Sequence, residues 1–418
     1  MPIRLTTKST AFAVFALSLL FALVISCGGA NEPEALDSSG AKEEPPELAK
    51  SVAGILPPTV TPTPPSNEFA IVGQPERFQL EDLSLVGINE WINSEPLELD
   101  QLAAENKLVL LDFWTYTCVN CVRTFPYLKA WHDAYADLGL VIIGVHSPEF
   151  EFEKISANIQ EAVERYGIEY PVAVDSDKAT WDKYGNHFWP SKYLITVGPN
   201  GESSVVLRHF GEGGYREFES TILVELNRLG RDTDHLRTIN PVGPDRSENA
   251  HTITRELYGG YSSNYLSDGL YAGQDDYYIA PDTTVDYVDD GTRRHGQFFL
   301  DGEWINTEDA VVSGYVAENG SSQFAFEFFA TSVNSVLSSS DGPVDLIVEL
   351  DGKPLTRDQA GFDISWNSDD TSVVEVDDAR LYQLVELPEF GKHELVLKTN
   401  SEGLAIYTVT FGVNKFGP

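Results

Sequence analysis

The 418-residue sequence predicts an α/β domain followed by an all-β domain of the sandwich or jelly-roll kind. Three observations carry this. Between residues 78 and 229, apolar strand-like runs alternate with helix-spaced segments, the pattern of a mixed sheet covered by helices. After residue 252 the texture changes to short alternating runs with turn signals between them, DG at Asp301 and Asp351 among them, as sandwiches require. Within the first region stands LDFWTYTCVNC, Leu111 to Cys121, where a buried-type strand runs into the start of a helix.

Taken in order, the chain opens with Arg4 and Lys8 ahead of an apolar run from Ala11 to Ile25. That is the layout of a secretory signal, here residues 1–26, and it falls short of the ~20 residues that span a bilayer. The run ends VISC, Val24 to Cys27, which resembles the lipobox of bacterial lipoproteins. The resemblance implies that Cys27 is the acylated first residue of the mature protein. An uncleaved anchor helix is the alternative, and either arrangement places the rest outside the cytoplasm, attached to the cell envelope. Residues 27–75 are rich in Pro, Glu, Ser and Thr, with PPTVTPTPP at Pro57 to Pro65. Such a segment buries too little apolar surface to fold, and proline stiffens it. It is expected to be a tether with a reach of roughly 35 Å or more.

The α/β domain is expected over residues 76–230. Strands are predicted at Ile88 to Ile92, Leu108 to Phe113, Leu140 to Val145, Val172 to Val174, Ser191 to Val197 and Ser204 to His209. Helices are predicted at Leu99 to Ala104, Cys118 to Leu138, Phe152 to Tyr166, Ala179 to Tyr184 and Tyr215 to Leu229. The turn GPNG, Gly198 to Gly201, reads as a hairpin that gives the sheet an antiparallel edge. Residues 231–251, with Pro241, Gly243 and Pro244, read as a linker. The β-domain is expected over 252–418, with strands at Gln323 to Phe329, Val344 to Leu350, Ser372 to Val376, Glu394 to Lys398 and Leu404 to Phe411.

The chemistry-bearing feature is the CxxC of Cys118 and Cys121. At a helix N-terminus, unpaired N–H groups and the helix dipole favour thiolate over thiol. Cys118 is the expected nucleophile. Cys121, one turn further in, is placed to attack a mixed disulfide on Cys118 and release the reduced partner. A structural zinc site usually wants four ligands; the chain has three cysteines, one of them Cys27, and no cofactor or metal is expected. Asp112 sits in an apolar strand just before the dithiol, where burial would raise its pKa and suit it to accept the Cys121 proton. A hydrogen-bonded structural carboxylate is the alternative for it.

A net charge of −37 argues against nucleic acid, whose phosphates need a basic face, and against polybasic contact with anionic lipid. His146, His187 and His209 fit ordinary structural positions and are given no role. Tyr258, Tyr261, Tyr277, Tyr278 and Trp304 are candidates for a ligand-binding face on the β-domain, against the default that aromatics there are core.

Asp112, Phe113, Trp114, the CxxC and Pro126 stand in the order and spacing of thioredoxins. The wording WTYTCVNC resembles more closely the thioredoxin-like part of the DipZ-type relatives of the cytochrome c biogenesis and disulfide reductase proteins. LVIIGVHSPEFEFEK (Leu140 to Lys154), IEYPVAVDSD (Ile168 to Asp177), HFWPSKYLITV (His187 to Val197) and RHFGEGGY (Arg208 to Tyr215) extend the likeness across residues 77–230. YTVTFG, Tyr407 to Gly412, is similar to the end of the sandwich those proteins carry. The resemblance implies a thioredoxin-like fold, a redox-active disulfide between Cys118 and Cys121, and a cis bond before Pro190. It also implies substrate contacts at Trp189 and Pro190, with Trp114 a further candidate contact whose first reading is packing beside the dithiol. Clients would be disulfide-containing proteins. DipZ-type proteins usually carry a membrane-embedded electron-conducting domain ahead of the redox domain. Here a signal and tether take its place, which implies either a separate membrane electron donor of the CcdA/DsbD type or operation as an oxidant.

The resulting expectation is an extracytoplasmic, lipid-anchored thiol–disulfide oxidoreductase acting as a protein-disulfide reductase. The reducing direction is expected because Val119 and Asn120 add no positive charge and Asp112 opposes a second anion. Arg123 is expected to be solvated and screened. One alternative is a surface-binding lipoprotein whose sandwich binds carbohydrate or protein. Another is a thiol peroxidase, although the peroxiredoxin arrangement of Pro and Thr ahead of the cysteine is absent.

Overall fold

The computed structural model describes residues 82–198, 202–241, 253–264, 270–315 and 320–413. The signal, Cys27, the tether, the centre of the GPNG turn and the end of the linker lie outside the described residues. Among the described residues, no helix is long and apolar enough to cross a membrane.

The first sheet has six strands. In chain order the elements are β1 (Glu90–Ile92), α1 (Leu99–Ala104), β2 (Leu108–Trp114), α2 (Val119–Tyr135), β3 (Leu140–His146), α3 (Ser156–Tyr166), β4 (Val172–Val174), α4 (Ala179–Lys183), β5 (Ser191–Val197), β6 (Ser203–Phe210) and α5 (Tyr215–Arg228). The strand order is β1-β4-β3-β2-β5-β6. β2, β3 and β4 run parallel, while β1, β5 and β6 are antiparallel to their neighbours. The expected mixed sheet and its antiparallel edge are both present.

β2 lies at the middle and is buried along its whole length, which is why LVLL and FW are apolar on both faces. Alternation sends Leu108, Leu110 and Trp114 into the core under α2, α3 and α5, and Val109, Leu111 and Phe113 into the core under α1 and α4. By the same period-2 rule Asp112 faces the α2 side. The predicted stripe of α2, Val122, Phe125, Leu128 and Trp131, is buried there, and Pro126 lies inside the helix. The helix predicted over Phe152 to Tyr166 divides into a 3₁₀ turn, Glu151–Lys154, and α3. Its break is at Ile155, whose backbone is extended. The buried carboxylate of Glu153 holds the turn by accepting the N–H groups of Glu149 and Phe150 at 2.6 and 3.0 Å.

The C-terminal region is all β. It contains β7 (Leu257–Tyr258), β8 (Thr284–Tyr287), β9 (Phe298–Asn306), β10 (Val311–Ser313), β11 (Ser322–Ser339), β12 (Val344–Leu350), β13 (Lys353–Pro354), β14 (Ser365–Trp366), β15 (Ser372–Val376), β16 (Arg380–Thr399) and β17 (Leu404–Gly412). Every pairing between these strands is antiparallel. β9 pairs with both β10 and β11, and β17 with both β10 and β11, so the sheet curls over one shared core. β11 and β16 are far longer than the short runs expected. Register shifts at Ala330/Ser332 and Val333/Asn334 bend them, so that one strand serves two parts of the curled sheet.

The described residues belong to one compact unit, Val72–Pro418. Val336 of β11, Leu381 of β16 and Tyr407 of β17 join the core of the first sheet. Tyr407 packs on Phe150 and Phe152 with ring centroids 5.1 and 4.8 Å apart.

Candidate active site

Cys118 occupies the N-cap of α2, in extended conformation, and is half-buried. Its sulfur accepts the N–H of Cys121 at 3.2 Å, while its carbonyl accepts the N–H groups of Cys121 and Val122, each at 3.0 Å. Cys121 has no exposed surface. Both are free thiols in this structure. Burial pushes the Cys121 thiol well above its ordinary range, and the nearby Cys118 sulfur and Asp112 carboxylate push the same way. Asp112 is fully buried, and neither of its oxygens has a hydrogen-bond partner among the described residues. Burial raises its acid to about 7, against the opposing pull of Lys192. Among the described residues, no protein hydrogen bond ties the Asp112 carboxylate into a structural network.

The loop before the dithiol is tied down from below. Thr117 donates to Glu153 at 2.6 Å, Tyr116 stacks on His146, and Tyr166 donates to the Tyr116 carbonyl at 3.1 Å. Burial holds His146 neutral, with its pKa lowered to about 3, which fits the structural position expected of it.

The Trp189–Pro190 bond is cis. The Trp189 indole is clamped: its N–H donates to the Ser147 carbonyl at 2.9 Å, its ring stacks on Trp181 at 4.2 Å, and the Lys178 ammonium lies 4.6 Å from its centre. Pro190 is buried, with its carbonyl accepting the Gly211 N–H at 2.8 Å. Trp114 corrects the expectation of a substrate contact. It has no exposed surface and packs edge-on against Phe125 and His146, because it ends a strand that is buried on both faces.

Arg123 departs from the sequence reading too. Its side chain is only 9% exposed and lies 3.5 Å from Glu212, so it is mostly buried and ion-paired rather than solvated. The default reading of the β-domain aromatics as core describes four of the five, Tyr261 being only partly buried with its hydroxyl donating to Asp282 at 3.3 Å. Tyr277 and Trp304 are fully buried in its core, with Tyr258 and Tyr278 packed against them, as apolar rings in a curled sheet must be.

Two buried charges near the dithiol were missed by sequence reasoning. Glu153 anchors the active-site loop, and Lys192 stands directly opposite Asp112 across the β2–β5 pairing. The available signal for Lys192 was a lone charge immediately ahead of the largely apolar run YLITV, residues 193–197.

Comparison with known proteins agrees with this geometry. Residues 77–202 match the AhpC/TSA family, and residues 254–412 match a thioredoxin-like C-terminal domain family. Protein DipZ of Mycobacterium tuberculosis is 32% identical over 284 residues, which is 66% of this chain and 37% of DipZ. The chain therefore spans little more than a third of that relative's length. The thiol–disulfide oxidoreductase YkuV of Bacillus subtilis is 32% identical over 130 residues, 31% of this chain and 82% of YkuV. The corresponding enzyme ResA of Halalkalibacterium halodurans is 32% identical over 138 residues, 33% of this chain and 67% of ResA. A CxxC at the head of a helix, a cis-proline loop and these relatives together make the chain a member of the thioredoxin-like thiol–disulfide oxidoreductases.

Proposed function

We propose that this oxidoreductase works through Cys118 and Cys121 and runs as a reductase of protein disulfides outside the cytoplasm. The observation that carries the proposal is the asymmetry of the pair: Cys118 is partly exposed at a helix N-cap with an N–H on its sulfur, while Cys121 is buried on the side of β2 that Asp112 faces. The Cys118 thiolate attacks one sulfur of a client disulfide. A new S–S bond forms, the client bond breaks, and the other client sulfur leaves with the electron pair. Cys121 then loses its proton to Asp112 and attacks the Cys118 sulfur. The Cys118–Cys121 disulfide forms and the second client thiolate leaves to be protonated. The client gains two electrons and two protons. A dithiol donor of the CcdA/DsbD type in the membrane would restore the enzyme.

The cis bond before Pro190 aims the Trp189 backbone at an incoming extended client segment, which can lie against it. In this reading residues 76–230 are the redox domain, 231–251 the linker and 252–418 the β-domain. Residues 27–75 are the tether, and acylated Cys27 is the anchor, two acyl chains being enough for stable attachment.

The test is trapping. Cys121→Ser should accumulate mixed disulfides with clients through Cys118, resolvable by mass spectrometry and released by reductant. Equal trapping by Cys118→Ser would reverse the roles. For the anchor, Cys27→Ala protein should move to the soluble extracytoplasmic fraction, and retention on the membrane would remove the lipoprotein reading.

A further inference from the structure

We propose that the β-domain takes part in setting the redox poise of the dithiol, and that it acts through Arg123: the end of β17 seats this guanidinium over the turn between the two cysteines. The inference rests on the reading of Cys118 and Cys121 as one redox couple.

Arg123 lies in α2, two positions after Cys121. Long side chains on a helix lean toward its N-terminus, and here one terminal nitrogen of Arg123 donates to the side-chain oxygen of Asn120, inside the CxxC, at 3.2 Å. The same nitrogen lies 3.5 Å from a Glu212 carboxylate oxygen. Glu212 belongs to the loop between β6 and α5, and that loop is fastened to α2 a second time. The Thr124 and Tyr215 hydroxyls are 3.2 Å apart, and the Tyr127 and Tyr215 rings stack at 3.6 Å.

The other side of the guanidinium is β-domain. Gly412, the last residue of β17, pairs with Ser332 of β11 at the register shift that bends β11. A Cβ on Gly412 would stand 2.3 Å from the second terminal nitrogen of Arg123 and 2.5 Å from the Ser332 hydroxyl. Gly412 does not have a left-handed backbone, so it is the space taken by Arg123 and Ser332, and not a turn, that requires glycine here. The strand end is itself fixed, its Gly412 carbonyl accepting the Thr331 hydroxyl at 3.1 Å. Among the described residues the Arg123 Nε has no hydrogen-bond partner, so the group is held by its tip contacts and by its fit against Gly412.

Against glutathione the couple is enzyme dithiol plus glutathione disulfide giving enzyme disulfide plus two glutathione thiols. One S–S bond breaks and one forms, and two electrons and two protons pass from the enzyme to glutathione. A cation near the N-terminal sulfur favours the reduced side, which carries thiolate character, over the neutral disulfide. Glu212 offsets that cation. A charge acting across about 10 Å of protein and water changes such a constant roughly threefold.

The experiment equilibrates the full chain in glutathione buffers and compares four proteins with the parent. Arg123→Met should raise the constant for disulfide formation about threefold, and Glu212→Gln should lower it about threefold. Gly412→Ala, whose methyl meets only the ends of two flexible side chains, should drive the guanidinium out toward solvent and raise the constant about twofold. In the double variant Arg123→Met with Gly412→Ala, the second substitution should add nothing. No effect of Gly412→Ala, or the same effect with and without Arg123, overturns the inference, whereas a parent that forms no Cys118–Cys121 disulfide overturns the reading it rests on. Should Gly412→Ala not fold, the unsubstituted protein serves. Coupling is reciprocal, so hydrogen exchange at the Phe411 and Gly412 amides should differ about twofold between the dithiol and disulfide forms, and equal exchange overturns the inference.

Discussion

At the scale of residues, the proposed division of labour between the cysteines comes from where the chain leaves β2 and enters α2. One sulfur caps the helix and the other is a turn inside it, in the same core that Asp112 faces. Asp112→Asn keeps the shape but removes the base, so the resolving step should slow by about 10²–10⁴-fold. Rapid-quench measurement of client release checks this, and a change below threefold would leave Asp112 without a catalytic role. Both cysteines and Asp112 were legible in the sequence because each is marked by local spacing or by a charge in an apolar run, whereas the cis Trp189–Pro190 bond was expected only from the resemblance to thioredoxins. Lys192 and Glu153 were not recognised, because each acquires its meaning from a partner 80 and 36 positions away, Asp112 and Thr117 respectively. Arg123 was misjudged for the same reason: Glu212 and the burial around it are contributed by distant parts of the chain.

At the scale of elements, local periodicity located nearly every strand and helix of the first sheet. It failed where one element serves two cores. Along β11, Val336 packs into the core of the first sheet and its neighbour Leu337 into the β-domain core. Two-sided burial erases polar alternation, so an 18-residue strand reads as a short one. The active-site loop is likewise an element held from outside itself. Thr117→Val removes the hydroxyl from the Glu153 carboxylate, and leaving that buried group less satisfied should cost about 1–3 kcal/mol. Urea unfolding measures it, with mixed-disulfide formation slowed as the loop loosens. A variant as stable and as fast as the parent would show that this tie is dispensable. On α2, Trp131→Ala should cost about 3–5 kcal/mol, since it empties a fully buried site.

At the scale of the whole molecule, the β-domain touches the redox domain through a proton-holding contact. The Tyr258 hydroxyl lies 3.0 Å from a Glu149 oxygen and 3.2 Å from a Glu256 oxygen, and one phenol proton can satisfy only one of them. Burial first, then the Glu256 and Glu153 charges, lift the Glu149 acid to about 8, and burial lifts that of Glu256 to about 7. Both values lie above those of the unfolded chain, so the folded protein binds more protons. Their stabilising contribution is complete below about pH 4.5 and is lost as pH rises through 7 to 8. The melting temperature should therefore fall between pH 5.5 and pH 8.5. Glu149→Gln should flatten that slope, which separates the contact from the general repulsion of a chain with charge −37. An equal slope in the variant would assign the pH dependence elsewhere.

The central claim is that Cys118 and Cys121 form one reversible two-electron couple poised for reduction. Equilibrating the protein in glutathione redox buffers and counting the Cys118–Cys121 disulfide by mass spectrometry tests it directly. The account expects a single two-electron transition nearer the potential of thioredoxin, about −270 mV, than that of a strong oxidant at about −120 mV. A pair that stays reduced in buffers that oxidise thioredoxin, or that forms no disulfide between these two residues, would contradict it.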